Sequence, residues 1–160
     1  MAKLDFTMRS QRLRDWCWAA VSVSVDRFYN SKSAWTECAI AEAELGLSCC
    51  KAAQPCNRVH LLDPPLDRLK RLKQAPLPRV LTFFEIQQQI DAGNPICTRI
   101  EWTDGGGHFT VISGYATSRA GVNKVTLEDP FYGPSEAAYD AFLTKYQGSG
   151  KWTGTFLLKG

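Results

Sequence analysis

The feature that most limits what this chain can fold into is a change of hydrophobic period near residue 94. Before it, apolar residues recur at three to four positions, the spacing of a buried helix face. After it, they alternate, the spacing of a strand with one covered face. Helices first and strands second, with turns short enough for hairpins, predict an α+β fold with an antiparallel sheet. The chain has 160 residues, a length suited to one domain that buries roughly 70% of its unfolded surface. We therefore expect a single domain over 1–160, with a helical lobe over about 10–93 packed on a sheet lobe over about 94–160.

The first helix is expected to start at "DWCWAA", with Asp15 as N-cap and Trp18, Val21, Val25 and Phe28 on one face. Alternating Val and Ser at 21–25 also fits a strand, but the length favours a helix. A second helix is expected over 36–46, closed by Gly46. "PLDRLKRLKQ", 65–74, reads as a third, with Leu66, Leu69 and Leu72 inward and its Arg and Lys on a solvated face or a docking patch for an acidic partner. "TFFEIQQQIDAG", 82–93, opens with a Thr-x-x-Glu capping box and ends at Gly93. Strands are expected over 95–102, 108–115, 123–130 and 151–158, and a short helix over 134–146.

Composition excludes some classes. A net charge of +3 falls short of a nucleic-acid footprint. No apolar run is long enough to enter a membrane as a spanning helix. The first residues lack the apolar centre of a secretory signal peptide.

There are six cysteines, at 17, 38, 49, 50, 56 and 97, and two histidines, at 60 and 108. Cys49, Cys50, Cys56 and His60 make a C-C-x5-C-x3-H cluster. Zinc is one reading, although the spacing matches no standard knuckle. Disulfides or reduced thiols are preferred, and Cys38 and Cys97 either pair or pack. The sequence does not choose among pairings. No metal or other cofactor is called for.

Cys17 differs from the rest. A thiol attacks a carbonyl as thiolate, which a helix N-terminus and a neighbouring imidazole both favour. Cys17 has the expected helix start. His108 follows three glycines in "DGGGHFTV" and opens a strand, where Gly106 and Gly107 let a substrate backbone approach. His60 is less constrained. In a hairpin of 108–115 with 123–129, Asp129 comes beside His108 and orients its ring, while Glu128 points to the opposite face. The amide of Cys17 and the side chain of Gln11 are candidate oxyanion donors. Each residue also has an ordinary reading: Cys17 a buried thiol, His108 a satisfied strand histidine, Asp129 before Pro a turn residue, Gln11 a surface residue.

"QRLRDWCWAA", 11–20, resembles the nucleophile segment of papain-like cysteine proteases, in which a Gln precedes the catalytic Cys by six residues and a Trp follows it. "TECAIAEAELGLSCC", "PCN", "GGGHFTVISGY" and "LEDPFYG" resemble the compact bacterial branch, made of effector proteases of plant-associated bacteria and protease toxin domains used between bacteria. The likeness runs from about Ser10 to Trp152. Asp15-Trp16 in place of Gly-Ser, and an Asp in place of Asn as third member, depart from papain. The Asp is similar to that of peptidases that trim leader peptides in bacteriocin export.

The resemblance implies a papain-like fold and an endopeptidase with Cys17 as nucleophile, His108 as base, Asp129 as orienter and Gln11 with Cys17 as oxyanion hole. Trp18, Gly106 and Gly107 are expected to contact substrate. It also implies a protein substrate in a target cell, a secreted or translocated effector, and a cognate immunity protein as inhibitor. Two rival readings are a Cys-His-Asp glutamine deamidase, transglutaminase or acyltransferase, and a non-enzymatic module held by a zinc or disulfide knot.

Overall fold

The first helix begins at a cysteine with no side-chain cap before it. In the computed structural model, which describes residues 1–160, helix α1 spans Cys17–Tyr29 and its N-cap is Trp16. Asp15 does not cap it, contrary to the sequence reading. A turn in which Trp16 N–H donates to Leu13 O at 3.1 Å delays the helix by a residue, and the Asp15 amide instead donates to Asn57 Oδ1 at 2.9 Å. Every residue of α1 from Cys17 to Asp26 is buried, as befits a helix covered on all sides. The serines that suggested a strand turn back on the helix: Ser22 Oγ donates to Ala19 O at 3.1 Å and Ser24 Oγ to Ala20 O at 2.6 Å.

Helix α2, Glu37–Leu45, is capped by Thr36, whose hydroxyl accepts from Ala39 N–H, and closed by Gly46 at φ 69°. The third helix corrects the expectation for 65–74. Helix α3 spans Asp63–Arg68, with Pro64 and Pro65 in the first turn, where a missing N–H costs nothing. It stops at Lys70, φ 63°, where Arg71 N–H donates to Leu66 O and Lys70 N–H to Asp67 O, both at 2.9 Å. "RLKRLK" is therefore not one helix face. Arg71 turns inward and its Nε donates to Asp26 Oδ1 of α1 at 2.8 Å, while Leu72 pairs with Leu158. Helix α4, Phe83–Asp91, has the expected capping box between Thr82 and Glu85.

Five of the six strands form a continuous antiparallel sheet. In chain order they are β1 Ala2–Lys3, β2 Ile96–Trp102, β3 Gly107–Thr117, β4 Asn123–Glu128, β5 Ser135–Ala138 and β6 Gly150–Leu157. The sheet order is β5-β4-β3-β2-β6, and β1 pairs with β3. The helix expected over 134–146 is corrected: its first residues form β5 against the free edge of β4, and only Tyr139–Thr144 is helical, as α5. Pairing on that edge outweighs the local helical pattern. Helix α1 packs on one face of the sheet, over Cys97, Phe109, Val111, Phe156 and Leu158. The other face, with Ile96, Ile112, Val125 and Leu127, is covered by Ile86 and Ile90 of α4 and Phe142 of α5.

Cys38 is bonded to Cys50 and Cys49 to Cys56. Cys17 and Cys97 are free thiols. This removes both the Cys38–Cys97 pairing and the zinc cluster, since all three of its cysteines are spent in disulfides. The bridged loop fastens the head of α1: Trp16 Nε1 donates to Cys56 O at 2.8 Å and Trp18 Nε1 to Arg58 O at 2.9 Å. Replacing Cys49 and Cys56 together by alanine is expected to lower stability by about 2 kcal/mol, the chain-entropy value for so short a loop, measured by urea unfolding.

Candidate active site

The two indole anchors set the rotation of α1, so that Cys17, between them, faces a cleft of about 730 Å³. Its sulfur lies where the first-turn amides of α1 have no intrahelical partner. The opposite wall is the mouth of β3. His108 pairs with Ile100 of β2, and Gly107 precedes it at a point where a Cβ would meet the Arg99 guanidinium at 3.0 Å.

Sheet register brings the carboxylate to the imidazole. Val111 pairs with Glu128, so the next residue, Asp129, falls on the His108 side of the sheet. His108 Nε2 is 2.9 Å from Asp129 Oδ1. Glu128 points the other way and accepts from Ser113 Oγ at 2.9 Å. Asp129 Oδ1 also accepts from the amides of Phe131 at 2.7 Å and Tyr132 at 2.9 Å, and Oδ2 accepts from Tyr146 OH at 2.6 Å. With Nε2 engaged, Nδ1 is the nitrogen left for Cys17. Trp102 stacks on the imidazole, with centroids 5.9 Å apart.

The electrostatics follow from these contacts. Burial pulls the His108 pKa down, but the Asp129 hydrogen bond, the nearby Cys17 sulfur and the charge of both push it up to about 9. Burial raises the Asp129 carboxyl, and its bonds to His108, Tyr146 and the Tyr132 amide bring it below the usual carboxylate range. The pair is arranged to be held as imidazolium and carboxylate.

Gln11 lines the same cleft. Its amide N–H donates to Pro130 O at 2.9 Å, fastening it beside Asp129. Its Nε2 donates to Leu13 O at 3.0 Å and Arg14 O at 2.6 Å, and its Oε1 is buried with no partner. Gly106 and Gly107 line the cleft too, whereas Trp18, expected to contact substrate, is wholly buried behind the cleft wall with His60 over it. His60 sits on the cleft rim, its ring 4.7 Å from that of Trp18.

The sequence reading missed the apolar walls. Val59 and Leu61 on one side, and Phe131 and Tyr132 on the other, line the cleft although each is more than half exposed. It also missed Tyr146. The aromatic pair after Asp129-Pro130 was a signal for Phe131 and Tyr132; no local pattern marked Val59, Leu61 or Tyr146. Exposed apolar side chains gathered round a cleft mark a binding surface.

A cysteine at a helix start, facing a histidine that is held by a buried carboxylate, is an arrangement that can carry out nucleophilic acyl transfer. With α1 laid against the antiparallel sheet, the molecule has the expected α+β plan. Residues 72–155, over half of the chain, match the model of the Peptidase_C39-like family. The chain belongs to that family and is a cysteine peptidase. The matched stretch holds His108 and Asp129 and leaves out Cys17. Among solved structures, the crystal structure of the Pseudomonas avirulence protein AvrPphB superposes with a TM-score of 0.44 and 11% identity over 98% of each chain. A likeness that distant says nothing of activity. No curated protein matches the chain in sequence.

Proposed function

We propose that residues 1–160 form one endopeptidase domain in which Cys17 attacks the carbonyl of a peptide bond. The observation that carries this reading is the His108–Asp129 contact facing Cys17 across the cleft. The sulfur attacks as thiolate, with the His108 imidazolium beside it. The attack makes a tetrahedral oxyanion, which takes the Cys17 amide and one Nε2 hydrogen of Gln11, released from its carbonyl partner. His108 gives its proton to the leaving amine, then takes one from the water that hydrolyses the thioester. Asp129 keeps the imidazole in the productive tautomer. Gly106 and Gly107 flank the bound peptide, and Trp18 supports the cleft from behind its wall.

The substrate is a protein in a target cell, and the domain is a bacterial effector or toxin that is secreted or translocated. A cognate immunity protein would cover the cleft. The sequence resemblance supports this role. The two disulfides fit an oxidising compartment, and no helix is long and apolar enough to cross a membrane.

The test is mass spectrometry of a bacterial lysate treated with the protein or with its Cys17→Ala form. New peptide termini that need Cys17 are expected. Glutamine side chains turned to glutamate or cross-linked, with no new termini, would overturn the reading in favour of a deamidase or transglutaminase.

The site also predicts a pH limit. The pKa of His108 is raised on folding, so what its charge contributes is complete below the ordinary histidine value and is lost as pH rises through about 9. Cleavage rate and resistance to urea should both decline through that range, and the decline in resistance should be absent from His108→Ala.

A further inference from the structure

Asp129 has two carboxylate oxygens, and they are held by different parts of the fold. Oδ1 carries His108 and the two amides of its own turn. Oδ2 has one partner, Tyr146 OH at 2.6 Å, from beyond α5. Tyr146 is itself fixed: its amide donates to Gly150 O at 2.9 Å and its carbonyl accepts from Gly150 N–H at 2.7 Å. Its ring meets Phe142 edge-on at 5.3 Å and stacks on Trp102 at 6.3 Å, and Trp102 in turn stacks on His108. Gly150 leaves room for this arrangement, since a Cβ there would lie 2.7 Å from the Trp102 ring.

We propose that Tyr146 is a positioning residue for the site, its hydroxyl keeping Asp129 ionised and turned toward His108 and its ring seating Trp102 over the imidazole. The inference rests on the peptidase reading of Cys17, His108 and Asp129. A buried carboxylate oxygen stripped of its only donor is costly, and protonation or rotation of the carboxyl relieves the cost. Either change takes the counter-charge from His108. The titratable groups facing Asp129 are His108 from β3, Tyr132 after β4 and Tyr146; Cys17 from α1 faces it through His108. Trp102, from β2, is neutral. Burial and the Asp129 contact raise the Tyr146 hydroxyl pKa, so it remains a donor throughout the working range.

Tyr146→Phe removes the hydroxyl and keeps the ring stack. The readout is the rate of iodoacetamide alkylation at Cys17 as a function of pH, with peptide mass spectrometry to assign the site. The acid limb of that profile is expected to move up by roughly half a pH unit or more. At the wild-type half-maximal pH, the rate should fall about twofold or more. Tyr29→Phe is the control: it loses a hydroxyl bonded to Asn94 Oδ1 at 2.7 Å, away from the cleft, and its limb should stay in place. A fluorotyrosine incorporated at position 146 is a stronger donor of unchanged shape. It should move the limb the opposite way, which tests the idea even if the phenylalanine variant does not fold. Limbs that overlay the wild type in the folded position-146 variants, or that shift equally in Tyr29→Phe, overturn the proposal. A wild-type Cys17 with no fast alkylation at acidic pH would instead bring down the peptidase reading, and this inference with it.

Discussion

Cys17→Ala is expected to abolish peptide-bond cleavage and leave the fold intact. Where a nucleophile and its base act as a unit, losing either costs on the order of a millionfold, because binding and the oxyanion donors alone give only weak catalysis. Cys17 fits this role by position. It is nearly buried, 8% exposed, yet opens to the cleft at the one end of α1 where backbone donors are free. Removing its sulfur takes little from the core, since the neighbouring indoles of Trp16 and Trp18 are anchored independently through Cys56 and Arg58. The thermal midpoint should therefore shift by only about 2–4 °C. Both quantities are needed: an inactive protein that has also unfolded would say nothing about the nucleophile. Cleavage that survives in the folded variant would remove Cys17 from the mechanism.

His108→Ala should turn Cys17 into an ordinary thiol. In the wild type, fast alkylation at mildly acidic pH is expected of Cys17 alone. Cys97, the other free cysteine, lies wholly buried beneath α1, where burial pushes its thiol pKa up and iodoacetamide has no access. Loss of the imidazole should slow Cys17 at that pH by about a hundredfold or more, the range of a removed acid–base partner. Asp129 would keep the two turn amides and Tyr146 as donors, so the loss should be chemical rather than structural. Equal alkylation rates in wild type and variant would mean that the two side chains do not act together.

Local signals carried much of the fold. Thr36 and Thr82 start helices and Gly46 ends one, because a capping hydroxyl and a left-handed glycine satisfy backbone groups within a few residues. The expected strands also form, since alternation in an apolar run reports which side chains must leave water. Where the reading failed, a distant partner outweighed the local pattern. Ser135–Ala138 had helical company in sequence but found the free edge of β4. Lys70 and Arg71 continued a helical pattern, but Arg71 is bonded to Asp26, far back in the chain. Asp15 was a good cap in isolation, and its segment is a turn tied to Asn57.

The candidate site divides in the same way. The types and order of its residues could be read from the chain: a cysteine at a helix start, one histidine after a glycine run, and an Asp-Pro at the end of the next strand. Hairpin pairing also reports, through its period of two, that Asp129 rather than Glu128 shares a side with His108. Tertiary structure alone decided that Cys17 faces that pair, because the rotation of α1 depends on two indoles bonded to a loop some forty residues away. It alone paired Cys38 with Cys50 and Cys49 with Cys56, brought Val59 and Leu61 opposite Phe131 and Tyr132, and set the Tyr146 hydroxyl on the second oxygen of Asp129. Periodicity and capping express interactions across a few residues, and a sequence displays those directly. Contacts between distant segments depend on how helices and sheet pack, and nothing in local spacing records the outcome.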